Sequence, residues 1–249
     1  MNDFMNKIES QFGSEQQIEK DLIRVRNLSK FYSKEKALDE ISLDIKSGRI
    51  VGLCGPNGSG KTTLIKILVG LLRDYQGDIQ IEGKHVGYES LGSISYLPDK
   101  TYFEKNMKGS ECITLFKDMY DDFNEERMMK LCDSFDVSPK KTFKEMSKGM
   151  QEKFQLALVL SRDAKIYLLD EPIGGVDPAS REKILNTILN SYAKDSLLLI
   201  STHLISDIEN ILDEVIFLKN GRVELFENCD DLRDQHNMSV DAYFREVFR

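Results

Sequence analysis

Apolar and polar residues alternate at Ile23 and Val25 and again at Ile41, Leu43 and Ile45, the period of half-buried strands. Residues 50–54 then form an unbroken apolar run, closed by a glycine-rich stretch at 55–60. Leu64, Ile65, Ile67, Leu68, Leu71 and Leu72 follow at helical spacing. This order predicts strand, glycine loop and helix, the helix running through Leu72. Ile79 and Ile81, closed by Gly83, predict an outer hairpin, and residues 94–97 a short strand cut off by Pro98. From 101 to 163 the strand signal disappears. Helices are expected after caps at Ser110, Asn124 and Ser147, with the acidic stretch 118–126 a solvated helix face and turn. Apolar strands return at 166–169 and 197–200, around a helix over 178–192 that opens on Pro178. Residues 215–218 and 223–226 flank Asn220-Gly221, a strong hairpin turn. Residues 229–249 predict one or two short helices. Residues 1–20 stand apart as an N-terminal extension. Met1, Ile8 and Phe12 recur there at helical spacing, and a docking helix and a frayed tail both fit.

Composition narrows the class. Of 249 residues, 41% are apolar, enough for a globular core. The 42 acidic against 34 basic side chains give a net charge of −8, which argues against non-specific nucleic-acid binding. Apolar runs such as 67–72 and 197–200 fall far short of the roughly 20 residues of a membrane helix. The expectation is a chain that does not itself span a membrane and that starts without a secretory signal. Cys54, Cys112, Cys132 and Cys229 show no CxxC spacing, so small buried thiols in a reducing cytoplasm are expected rather than a zinc site.

The chemistry begins at residues 55–62, Gly-Pro-Asn-Gly-Ser-Gly-Lys-Thr, a complete G-x-x-x-x-G-K-[ST] loop. Glycines let backbone N–H groups turn inward around a phosphate, and the helix start adds its positive dipole end. Gly55, Asn57, Gly58, Ser59, Gly60, Lys61, Thr62 and Thr63 are therefore candidate nucleotide contacts. Lys61 suits the β- and γ-phosphates, and the Thr62 hydroxyl suits Mg2+. The run 166–169 ends in Asp170-Glu171, where open α/β sheets place ligands. Asp170 is a candidate Mg2+ carboxylate, and Glu171 a candidate general base for an attacking water.

With those motifs in place, the sequence resembles the ATP-binding subunit of an ABC transporter. The likeness runs from about residue 22 to about 226. Residues 146–151, Met-Ser-Lys-Gly-Met-Gln, resemble the family's LSGGQ signature, with Ser147 and Gly149 matching and Lys148 and Met150 departing. A plain helix cap is the alternative reading of that string alone. The resemblance implies that Ser147 and Gly149 meet the γ-phosphate bound on an opposite subunit. It makes His203 the switch histidine, Asp177 part of the D-loop, and Tyr32 the aromatic that stacks on adenine, with adjacent Phe31 the alternative. After Pro98 the family usually has glutamine; here Asp99 stands as a metal candidate or a plain loop residue.

The resemblance implies an α/β fold with a P-loop NTPase (RecA-like) core, an outer antiparallel β layer and an inserted α-helical subdomain at about 101–163. The ATP-binding domain would span 21–249, with C-terminal helices at about 229–249. It implies an ATPase with ATP and Mg2+ as cofactors, lying on the inner face of the cell membrane. It further implies pairing with a second ATP-binding subunit, a copy of this chain or a related one, in the service of a multi-span permease. The signature variant resembles bacterial ABC-2-type exporters. A soluble non-transport ABC ATPase of translation or DNA repair is the competing class. The single cassette and missing heptads speak against it.

Overall fold

The computed structural model describes residues 21–193 and 195–249. The helical reading of residues 1–20 lies outside them. Strands β1 (Asp21–Tyr32) and β2 (Glu35–Lys46) form an antiparallel pair. Strand β3 (Ile50–Cys54) leads into the glycine loop and helix α1 (Lys61–Leu68). Strands β4 (Gln76–Ile81) and β5 (Lys84–His85) are the expected hairpin, and they join the first pair in a four-stranded sheet ordered β2-β1-β4-β5.

The second sheet begins, after the short α2 (Tyr88–Leu91), with β6 (Ile94–Leu97). Helices α3 (Gly109–Met119), α4 (Glu125–Phe135) and α5 (Lys148–Leu160) fill the stretch without strands. Then come β7 (Ile166–Asp170), α6 (Pro178–Ser191), β8 (Leu197–Thr202), α7 (Ile205–Ile208), β9 (Glu214–Lys219) and β10 (Arg222–Asn228). Helices α8 (Cys229–His236) and α9 (Val240–Val247) end the chain. The sheet order is β10-β9-β3-β8-β7-β6, parallel except for the β9–β10 hairpin.

The two faces of this sheet bury different cores. Leu53, Leu168, Leu199 and Ile216 face α1 and the antiparallel sheet, so α1 is sandwiched between two sheets. Leu97, Leu169, Ile200 and Phe217 face the core shared with α3–α6. Strands buried on both sides explain the unbroken apolar runs. All four cysteines are buried and free, as expected, and burial pushes the Cys132 thiol up to about 11.

Three local expectations need correction. Helix α1 stops at Leu68 and not Leu72, because Gly70 turns left-handed at φ 69°; Leu71 is then 63% exposed. Ser110 is not the cap of α3. That position is Lys108, whose N–H is held by the Glu111 carboxylate at 2.6 Å, while the Ser110 N–H bonds Pro139 O at 2.7 Å. Asn124 and Ser147 do cap α4 and α5. The acidic stretch is not wholly solvated either. Asp122 accepts two hydrogen bonds at 2.9 Å from Arg162, which is 2% exposed. The same guanidinium donates to Gly92 O and Ile94 O and lies over the Tyr120 ring at 3.7 Å. The helical stretch is thus locked to the root of β6 by a buried cation that donates four hydrogen bonds.

Candidate functional site

The glycine loop joins β3 to α1 with two positions that admit no side chain. A Cβ at Gly55 would sit 2.3 Å from the Leu218 carbonyl oxygen, and one at Gly60 2.6 Å from that of Ala37. Gly60 also adopts φ 110°. The β9–β10 turn braces the loop from outside: Gly221 N–H donates to Ser59 O at 3.0 Å, and Gly221 O accepts from Asp39 N–H at 2.8 Å. An Arg222–Asp39 ion pair at 2.6 Å fastens the turn to β2.

Within the loop Lys61 is buried, and its ammonium donates to Gly55 O at 2.7 Å and Pro56 O at 3.2 Å. Burial lowers its pKa, opposed chiefly by the Glu171 carboxylate. Asp170, at the end of β7, is 1% exposed. Its Oδ1 accepts from the Ser201 hydroxyl and, at 3.4 Å, from Thr62, while its Oδ2 is buried without a partner. Burial raises the Asp170 pKa; the bonds from Ser201 and Thr62 oppose this, and the Asp99 carboxylate adds to it.

Glu171 follows with φ 52°, an uncommon backbone for a non-glycine residue. Its N–H is shared between Ser201 O at 3.0 Å and Ser201 Oγ at 3.2 Å. The turn aims its carboxylate at His203, whose Nδ1 lies 3.0 Å from both oxygens. One cavity of about 790 Å3 takes in Tyr32, residues 57–63, Asp99, Asp170, Glu171 and His203. The structure thus brings together most of the residues singled out from sequence. Tyr32 lines the cavity and Phe31 does not. Gly55 lies beneath it as an acceptor for Lys61. Ser147, Gly149 and Asp177 do not line it. Ser147 caps α5 through Met150 N–H at 3.3 Å, and Asp177 caps α6 through Ser180 N–H at 3.1 Å.

Sequence reasoning missed Ser201, Glu152 and Gln155. Ser201 holds both Asp170 and Glu171, and its signal was only its place beside them on a neighbouring buried strand. Glu152 and Gln155 line the cavity from α5. Glu152 Oε2, Gln155 Oε1, Ser59 Oγ and Asp170 Oδ2 are all buried without partners, so acceptor and hydroxyl oxygens accumulate around this one space.

A glycine loop at a helix start, with an acidic strand end across it, defines a nucleoside-triphosphate-binding P-loop protein. The family profile for ABC transporters matches residues 38–174. An uncharacterized ABC transporter ATP-binding protein of Methanocaldococcus jannaschii is 31% identical over 219 residues, covering 86% of this chain and 80% of that one. The lantibiotic transport ATP-binding protein SrtF of Streptococcus pyogenes is 26% identical over 224 residues, covering 88% of this chain and 97% of SrtF. The solved ATP-binding subunit of an ABC transporter superposes with a TM-score of 0.82 at 28% identity, covering 92% of this chain and all of that one. The chain belongs to the ABC transporter family as an ATP-binding subunit, and it is an ATPase. Among the described residues no helix is long and apolar enough to cross a membrane.

Proposed function

We propose that this chain hydrolyses ATP with Mg2+ to power a membrane exporter, as one half of a head-to-tail pair of ATP-binding subunits. The carrying observation is the convergence of Lys61, Thr62, Asp170, Glu171 and His203 on one cavity, which Lys148 of the 146–151 string reaches but Ser147 and Gly149 do not line. A nucleotide held here still needs an anion site above its γ-phosphate. Ser147 and Gly149 at the start of α5 offer one to a partner copy.

The residues divide the work as follows. Lys61 now satisfies itself on two loop carbonyls; phosphate oxygens are stronger partners for a buried cation and displace them. The Asp170 Oδ2 without a partner, the Thr62 hydroxyl and the Asp99 carboxylate suit a hard divalent cation, which would neutralise phosphate charge when bound. Glu171 accepts the proton of the attacking water, and His203 fixes the orientation of its carboxylate. Tyr32 offers a ring face to adenine. Loss of the γ-phosphate removes contacts made by both copies and reopens the pair. The helices between 101 and 163 pass this motion to a permease at the inner face of the membrane. Similarity to SrtF, named as a lantibiotic transport ATP-binding protein, supports transport as the task.

Glu171→Gln tests this reading. Hydrolysis should fall about 10²–10⁴-fold while ATP binding persists, and ATP should then shift the variant to a dimer in gel filtration. Wild-type turnover would sink the assignment. Copurification with a hydrophobic multi-span protein is expected, and recovery of ribosomes or DNA instead would replace transport with the translation or repair class.

A further inference from the structure

Strands β6 and β7 run parallel with Tyr96 opposite Leu168 and Leu97 opposite Leu169. Leu168 points to the core around α1, and Tyr96 packs against that same core. Asp170, two residues beyond Leu168, shares this face and meets Thr62 of α1 at 3.4 Å. Two residues along and one strand across is about 8 Å between backbones, within reach of an aromatic side chain. The Tyr96 hydroxyl is buried and has no hydrogen-bond partner. Asp170 Oδ2 is likewise buried without one. A phenol that can donate thus lies near a carboxylate oxygen that can accept, and the two are unmatched. Burial raises the Tyr96 pKa well above its ordinary value, and the Asp170 carboxylate raises it further. Phenylalanine would serve equally well as packing and would carry no cost of burying an unused hydroxyl.

We propose that Tyr96 is a positioning residue for the metal end of the site, donating its hydroxyl, directly or through one water, to the Asp170 carboxylate once Mg2+ and nucleotide bind. This rests on the reading of Asp170 given above. Tyr96 touches neither nucleotide nor metal in this scheme; it fixes which way the Asp170 carboxylate faces.

Tyr96→Phe isolates the hydroxyl. Thermal unfolding is followed for the free chain, for the chain with ATP and EDTA, and for the chain with ATP across a Mg2+ series. The free variant should melt at the wild-type temperature or about 1–4 °C higher, since no bond is lost. The shift caused by ATP in EDTA should be unchanged. The Mg2+ concentration giving the half-maximal further shift should rise about tenfold, the worth of one charge-assisted hydrogen bond. Ser95→Ala is the control on the same strand. It removes a 2.8 Å bond to Val159 O on the opposite face and should lower the melting temperature without moving the Mg2+ midpoint. The proposal is overturned by an unchanged midpoint in Tyr96→Phe, by an equal displacement in Ser95→Ala, or by a free variant that melts several degrees lower. A wild-type chain with no Mg2+ response overturns the reading of Asp170 itself, and the proposal with it.

Discussion

The nucleotide end of the parallel sheet and the helical stretch beside it solve the problem of buried charge in opposite ways. In the helical stretch, Arg162 is buried and well partnered: two bonds to Asp122, two backbone carbonyls and an aromatic face. At the sheet end, Lys61 leans on its own loop, and Asp170 leaves one oxygen without a partner. The first region is complete in itself. The second leaves polar atoms open around its cavity, the arrangement of a site that gains partners on binding. Changes at the sheet end should therefore appear in binding, and changes in the helical network in stability.

Lys61→Ala is the strongest test of that division. It should cost at least about 100-fold in ATP affinity, as expected for losing a charge-assisted phosphate contact in a buried site, with the free chain's melting temperature little changed. Calorimetric titration beside thermal unfolding reads both, and a large stability loss would break the comparison. Arg162→Met should do the reverse. Breaking a buried ion pair costs about 3–5 kcal/mol, or about 6–20 °C for a chain of this size, with ATP affinity retained. Ser201→Ala lies between the two, because Ser201 braces both Asp170 and Glu171. It should lower steady-state hydrolysis about tenfold and stability by about 1 kcal/mol. Asn124→Ala is the smallest change. It deletes a helix cap with a 2.8 Å bond, should cost about 1 kcal/mol in denaturant unfolding, and should leave hydrolysis unaltered.

The same contrast explains what sequence could and could not reveal. The buried strands, the glycine loop and Asp170-Glu171 were legible because each is a contiguous string whose physics is local. The end of α1 was misjudged because Leu71 and Leu72 continue the apolar period past Gly70, where only the backbone turn decides. Asp122 read as solvated because its partner Arg162 lies 40 residues away. Tyr96, Ser201 and Gln155 carried no motif. Their place in the site comes from strand register and from the packing of α5, which no short window displays. Ser147 illustrates the middle case: its cap was readable, but whether a partner copy uses it depends on a surface that one chain does not contain.

The brace between Gly221 and the glycine loop also bears on the order in which the site is assembled. Residues 55–62 contain every atom of the phosphate motif, yet the loop is held by an amide made more than 150 residues later in synthesis. Chains grow from the N-terminus, and contacts so distant in sequence close late. A nascent chain halted before the β9–β10 turn thus carries the complete motif without the brace that shapes it. The shape of the glycine loop is thus tied to a turn encoded far downstream of its own motif.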